Sequence, residues 1–113
     1  MTFGSLGPII FLMSRKERFR LVVCEEARAL RSLGVREIGI FGSVNRGEDD
    51  SDSDYDVLVV FEPKKKNFRS FVAVSDLLEA RLGAPVDLVT REGLSPHLGP
   101  SILKETAYVP LAS

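Results

Sequence analysis

Phe41-Gly42-Ser43-Val44-Asn45-Arg46-Gly47-Glu48-Asp49-Asp50-Ser51-Asp52-Ser53-Asp54-Tyr55-Asp56-Val57-Leu58-Val59-Val60 is the stretch from which the rest of the chain can be read. An apolar run ends in Gly42-Ser43, an acidic, serine-rich loop follows, and Asp54 and Asp56 head a second apolar run. Side chains alternate faces along a strand, so Asp54 and Asp56 project together while Tyr55 points the other way. Two carboxylates on one face suit a hard divalent cation such as Mg²⁺, which prefers oxygen ligands. A Gly-Ser turn held opposite them offers backbone N–H groups and a hydroxyl to phosphate. A metal and a phosphate cradle together are the minimum equipment for phosphoryl or nucleotidyl transfer.

Upstream, Ser14-Arg15-Lys16-Glu17 has the form of a capping box. Phe19, Val22, Val23, Ala27, Leu30 and Leu33 then recur at helical steps, predicting one helix over about 15–33, closed by Gly34. Val35 to Phe41 is β-branched and mostly apolar, the mark of a strand. Ser43 is expected to cap a single helical turn covering Val44 to Arg46. Tyr55 to Phe61 is a near-continuous apolar run, which suits a central strand covered on both faces, and Pro63 ends it. Asn67 caps a second long helix with Phe68, Phe71, Val72, Leu78 and Leu82 on one stripe, stopped by Gly83 and Pro85. Val86 to Val89 predicts a third strand. A last helix opens at Ser95-Pro96 or at Gly99-Pro100, and Tyr108 to Leu111 is an extended tail or edge strand. Helix, strand, turn, strand, helix, strand, helix is the order of a small α/β (α+β) domain.

A chain of 113 residues is one domain with one core. It is expected to span residues 14–113 behind an N-terminal extension, residues 1–13. With 44% apolar and 27% charged residues the composition is that of a globular protein rather than a disordered one. A net charge of −1 gives no general attraction to nucleic acid or to an anionic membrane, so neither is an expected partner. The apolar run Leu6 to Met13 is too short to cross a bilayer. No basic residue precedes it, so it reads as a loose extension or short strand rather than a signal peptide, with Met13-Ser14 an alternative start. The lone cysteine, Cys24, falls inside a helical pattern and reads as a buried thiol, which fits a reducing compartment.

An acidic loop by itself is usually solvated surface, and Glu48, Asp49, Asp50 and Asp52 are read so. A calcium-loop reading fails on spacing: the sixth position from Asp50 is Tyr55 instead of glycine, and the twelfth is Phe61 instead of glutamate. Asp87 weighs more. A carboxylate between Val86 and Leu88 is costly to bury unless paired or metal-bound. A strand beside the one bearing Asp54 and Asp56 would bring it to them, and three carboxylates repel unless cations sit between them. The competing reading is a strand-end Asp satisfied by a helix N-terminus or an arginine. Lys64-Lys65-Lys66 reads as a solvated loop, and His97, with no metal-ligand spacing, as structural or surface.

Gly42-Ser43, then Asp54-Tyr55-Asp56, then an isolated Asp87 in a third strand resembles the DNA polymerase beta-like nucleotidyltransferase superfamily. The short domain, with Arg46-Gly47 after the turn, is similar to its minimal nucleotidyltransferases, and the likeness covers about residues 15–109. The resemblance implies a polymerase beta-like fold, a small mixed sheet with helices packed against it. It implies Mg²⁺-dependent transfer of a nucleoside monophosphate, usually AMP from ATP, with two Mg²⁺ ions. Asp54, Asp56 and Asp87 would be the metal-ligating, catalytic carboxylates, with Asp87 helping to deprotonate the acceptor hydroxyl. Gly42, Ser43 and Arg46 would bind the triphosphate. Arg46 has a plainer reading as a surface arginine paired to the acidic loop. Asn45 departs from the small residue, often alanine, common there. Many minimal nucleotidyltransferases are cytoplasmic antitoxins of HEPN-domain ribonuclease toxins, and some add AMP to a tyrosine of the toxin. The alternatives are a non-catalytic antitoxin acting by contact, or an aminoglycoside-type enzyme acting on a small molecule.

Overall fold

The structure is a computed structural model and describes residues 13–50 and 52–111; the expectations for residues 1–12 lie outside it. Helix α1 (Arg15–Glu25) opens on the capping box read from the sequence: Ser14 Oγ accepts the Glu17 N–H at 3.1 Å and Glu17 accepts the Ser14 N–H at 2.9 Å. The single helix expected over 15–33 is two helices. Glu26, at φ −102° and ψ 13°, interrupts it, and α2 runs from Ala27 to Ser32. Arg81 holds both Glu25 and Glu26 at this break. Strand β1 (Val35–Phe41) follows, then the short helix α3 (Gly42–Arg46) and strand β2 (Tyr55–Phe61). A 3-10 turn (Pro63–Lys65) leads to α4 (Phe68–Leu82), β3 (Val86–Thr90), α5 (Gly99–Glu105) and the edge strand β4 (Ala107–Tyr108). Asn67 caps α4 by accepting the Ser70 N–H at 2.8 Å, and Gly83 ends it in the left-handed region.

The strands form one mixed sheet in the order β3-β2-β1-β4. β1 runs antiparallel to both neighbours, and β2 runs parallel to β3. β2 is central and buried on both faces, as its unbroken apolar run requires. Tyr55, Val57 and Val59 join Ile38, Ile40 and Leu88 in a core with Phe19, Val22, Val23 and Leu30 from the N-terminal helices and Val74, Leu78 and Leu82 from α4. Alternation puts Asp56, Leu58 and Val60 on the opposite face of β2.

Three further expectations are corrected by the packing of the helices. Cys24 is exposed, because Val22, Val23, Ala27 and Leu30 take the buried stripe and leave position 24 outside it. The buried stripe of α4 is Val74, Leu78 and Leu82, with Phe71 half-buried, so Phe68 and Val72 lie off it, and Phe68 is 80% exposed. Phe68 instead edges a cavity of about 320 Å³ with Phe61, Lys66, Asn67, Phe71 and Thr90, at the end of the sheet remote from Asp56 and Asp87. Ser43 does not cap α3; the N-cap is Phe41, without a side-chain bond, and Ser43 sits inside the helix. Lys66 of the basic cluster pairs with Glu92 at 3.3 Å, across exposed surface. No helix among the described residues is long and apolar enough to cross a membrane.

Candidate active site

Tyr55 sets the site's geometry. Its ring is fully buried against Phe19, with centroids 6.5 Å apart. Burying position 55 forces positions 54 and 56 outward at the head of β2, and Asp54 is exposed and Asp56 half-buried. Asp56 lies directly across from Asp87 in the parallel β2–β3 register. Paired residues of neighbouring strands project from the same face, so the two carboxylates share an edge of the sheet. Asp87 itself is exposed, which corrects the premise of a buried charge; alternation places it between the inward Leu88 and the half-buried Val86.

The turn after β1 stands against the same carboxylate. Phe41 pairs with Asp56 across the antiparallel register, and Gly42 follows with φ +75°. A Cβ on Gly42 would come within 2.2 Å of Asp56 Oδ2, so only glycine lets the turn approach this closely. Burial pushes the Asp56 carboxyl above the usual aspartate range, and the charges of Asp87 and then Asp54 push it further; the Arg46 charge works the other way. Among the described residues no three acidic, histidine or cysteine side chains gather closely enough to hold a metal ion. Asp54, Asp56 and Asp87 share the edge without closing on one point. Their donors are nonetheless all anionic oxygens, the set that hard divalent cations take, and the repulsion felt by Asp56 is what such a cation would remove.

Arg46 is committed to two acids. Its Nε donates to Glu48 at 2.9 Å, as the plainer reading expected, and Nη1 donates to Glu105 at 3.0 Å. Ser53 fixes the turn into β2, its Oγ accepting the Asp50 N–H at 3.0 Å. His97 is exposed and, among the described residues, belongs to no group of side chains that could hold a metal ion.

Two residues here were not singled out in the sequence. Arg15 lies over the Tyr55 ring, 4.5 Å from its centroid, and donates to the carbonyls of Ser53 at 2.6 Å and Asp50 at 3.0 Å. It also pairs with Asp49 at 3.5 Å, so the loop read as mere solvation is tied to α1. Glu105, the last residue of α5, accepts from both Arg46 and the Gly42 N–H. Each carries the wrong sign for its helix end, a cation in the first turn of α1 and an anion in the last turn of α5. That mismatch was the available signal that both have tertiary partners.

Arg15→Ala is expected to cost about 2–3 kcal/mol in urea unfolding, because the Arg15 side chain is 19% exposed and a stacked cation and charged hydrogen bonds are lost together. Lysine should not restore it, since a point charge cannot fork to two carbonyls while lying flat on a ring. Among the described residues the buried Tyr55 hydroxyl has no hydrogen-bond partner. Tyr55→Phe is therefore expected to raise stability, by about 1 kcal/mol or more, with the ring stack retained.

Carboxylates at the heads of two parallel strands, faced by a glycine turn leaving a third, are an arrangement that suits a divalent cation beside a phosphate group. The nucleotidyltransferase domain profile matches residues 18–109, and the chain belongs to that family. It is 40% identical over 94 residues to the protein adenylyltransferase MntA of Thermococcus cleftensis, covering 82% of this chain and 94% of that one. A solved protein provisionally assigned as a minimal nucleotidyltransferase is 34% identical, with a TM-score of 0.64 over 78% of this chain and 93% of its own. A chain of a toxin–antitoxin crystal structure with AMP-PNP shares the fold at a TM-score of 0.60 and 23% identity, over 76% of this chain and 68% of its own. The protein is a nucleotidyltransferase with the fold of the minimal members of that superfamily.

Proposed function

We propose that this nucleotidyltransferase transfers AMP from ATP to a hydroxyl of a partner protein, in the cytoplasm, and so acts as the antitoxin of a HEPN-type toxin with a tyrosine as acceptor. The observation that carries the chemistry is the register pairing of Asp56 with Asp87, with the Gly42 turn seated on the Asp56 carboxylate. The likeness to a protein adenylyltransferase and to a toxin–antitoxin chain supports the choice of acceptor class.

Asp54, Asp56 and Asp87 would hold two Mg²⁺ ions, which when bound stabilise charge on the attacking and leaving oxygens. The Gly42 N–H, Ser43 and Arg46 would orient the β- and γ-phosphates. The acceptor oxygen forms a bond to the α-phosphorus, the α–β phosphoanhydride bond breaks, and pyrophosphate leaves. Asp87, the exposed carboxylate of the pair, takes the hydroxyl proton. Asp56, lifted by burial and by its neighbours, suits the task of a ligand whose repulsion a cation relieves.

The test is to incubate the protein with labelled ATP, Mg²⁺ and the partner encoded beside it. Label should appear on the partner, depend on Mg²⁺ and disappear with chelator. Toxicity blocked with no label transferred would instead establish neutralisation by contact. Label accepted by an aminoglycoside and not by the partner would establish a small-molecule enzyme.

A further inference from the structure

Glu105 occupies the donors that the nucleotide's phosphates would need. Its Oε2 accepts the Gly42 N–H at 3.3 Å and the Arg46 Nη1–H at 3.0 Å. The end of α5 is held over the turn by a separate bond, Asn45 Nδ2 donating to the Glu105 carbonyl at 2.8 Å. That bond gives the polar residue at position 45 a task and fixes the direction from which the Glu105 side chain arrives. An anion at the last turn of a helix opposes the helix dipole, so α5 itself does not favour it. Its partners on α3 do.

We infer that Glu105 is a resident anion that stands in for phosphate at the Gly42 turn and sets the affinity for nucleotide by competing with it. The inference rests on the nucleotidyl-transfer reading of the turn. A triphosphate arriving there must take over the Gly42 N–H and the inner face of Arg46, and the Glu105 carboxylate must leave both. In the free protein the contact satisfies the Gly42 N–H and gives Arg46 a second carboxylate beside Glu48.

The experiment compares wild type with Glu105→Gln, which keeps size and loses charge, and Glu105→Ala, which loses the contact. The Asn45 bond is to the backbone and persists in both. Titration with AMP-PNP and Mg²⁺ should show Kd falling about tenfold in each variant, and KM for ATP should fall with it. Thermal unfolding and circular dichroism identify any variant that fails to fold, and Glu105→Asp, too short to reach the turn, then replaces it. Unchanged or weaker nucleotide binding in folded variants would overturn the inference, weaker binding marking Glu105 as a group that assists the nucleotide. Wild type that neither binds AMP-PNP nor transfers label would overturn the nucleotidyl-transfer reading itself. Wild type that does both, beside variants that bind no more tightly, overturns only the role given to Glu105.

Discussion

Replacing Asp54 and Asp56 together by alanine is expected to lower transfer from labelled ATP by at least about 10³-fold while the domain still folds. The two side chains lie outside the core, and the buried Tyr55 between them keeps the strand head in place. The variant should also lose any rise in Tm that Mg²⁺ gives wild type, because binding only to the folded form stabilises it by mass action. Without metal, the Asp56 substitution should stabilise the fold at neutral pH. The sign follows from the raised pKa of Asp56, whose largest cause is burial and whose next is Asp87. A carboxyl raised in the folded state favours folding when it carries its proton. That contribution is complete below the ordinary aspartate pKa and is lost as pH rises through the raised value. Asp56→Asn, permanently neutral, should therefore melt higher than wild type at pH 7 and lose that advantage in acid. A variant that melts lower at pH 7 and transfers AMP normally would remove Asp56 from the site.

Gly42→Ala is expected to damage both stability and transfer. At φ +75° a Cβ costs about 1–2 kcal/mol in the backbone alone. The new methyl group would also meet Asp56 at 2.2 Å from Oδ2, a distance that real Cβ atoms do not adopt, and at a tight 3.0 Å from Cγ. The carboxylate must swing aside, and displacement of about 1 Å at a reacting centre costs about 10²-fold in rate. Urea unfolding and transfer assays read the two losses separately. In an Asp56→Ala background the clash with the carboxylate is gone, so the stability cost of Gly42→Ala should shrink toward its backbone part. An equal cost in both backgrounds would mean that the turn does not rest on Asp56.

The central strand was legible because Tyr55 to Phe61 is short, β-branched and apolar at almost every position, a pattern that suits a strand covered on both faces. The capping box at Ser14 and the Asn67 cap were equally plain, since each is a local hydrogen bond between residues three apart. The interruption at Glu26 was hidden because its charge partner, Arg81, lies on another helix. The misplaced Phe68 and Val72 show how a helical stripe fixes spacing without fixing which neighbour the first turn will meet.

What the sequence determined alone was a shared direction: Asp54 and Asp56, two apart with a large aromatic between them, project from one face. Alternation of side chains in a strand dictates that much. The tertiary structure decided which strand lies beside β2, and with it that Asp87 faces Asp56 directly in register. It also decided that Arg15 and Glu105, far apart in the chain, both arrive at the site. Charge complementarity across long separations has no local period, so it becomes visible only when the sheet has ordered its strands and brought the helix ends to its edge.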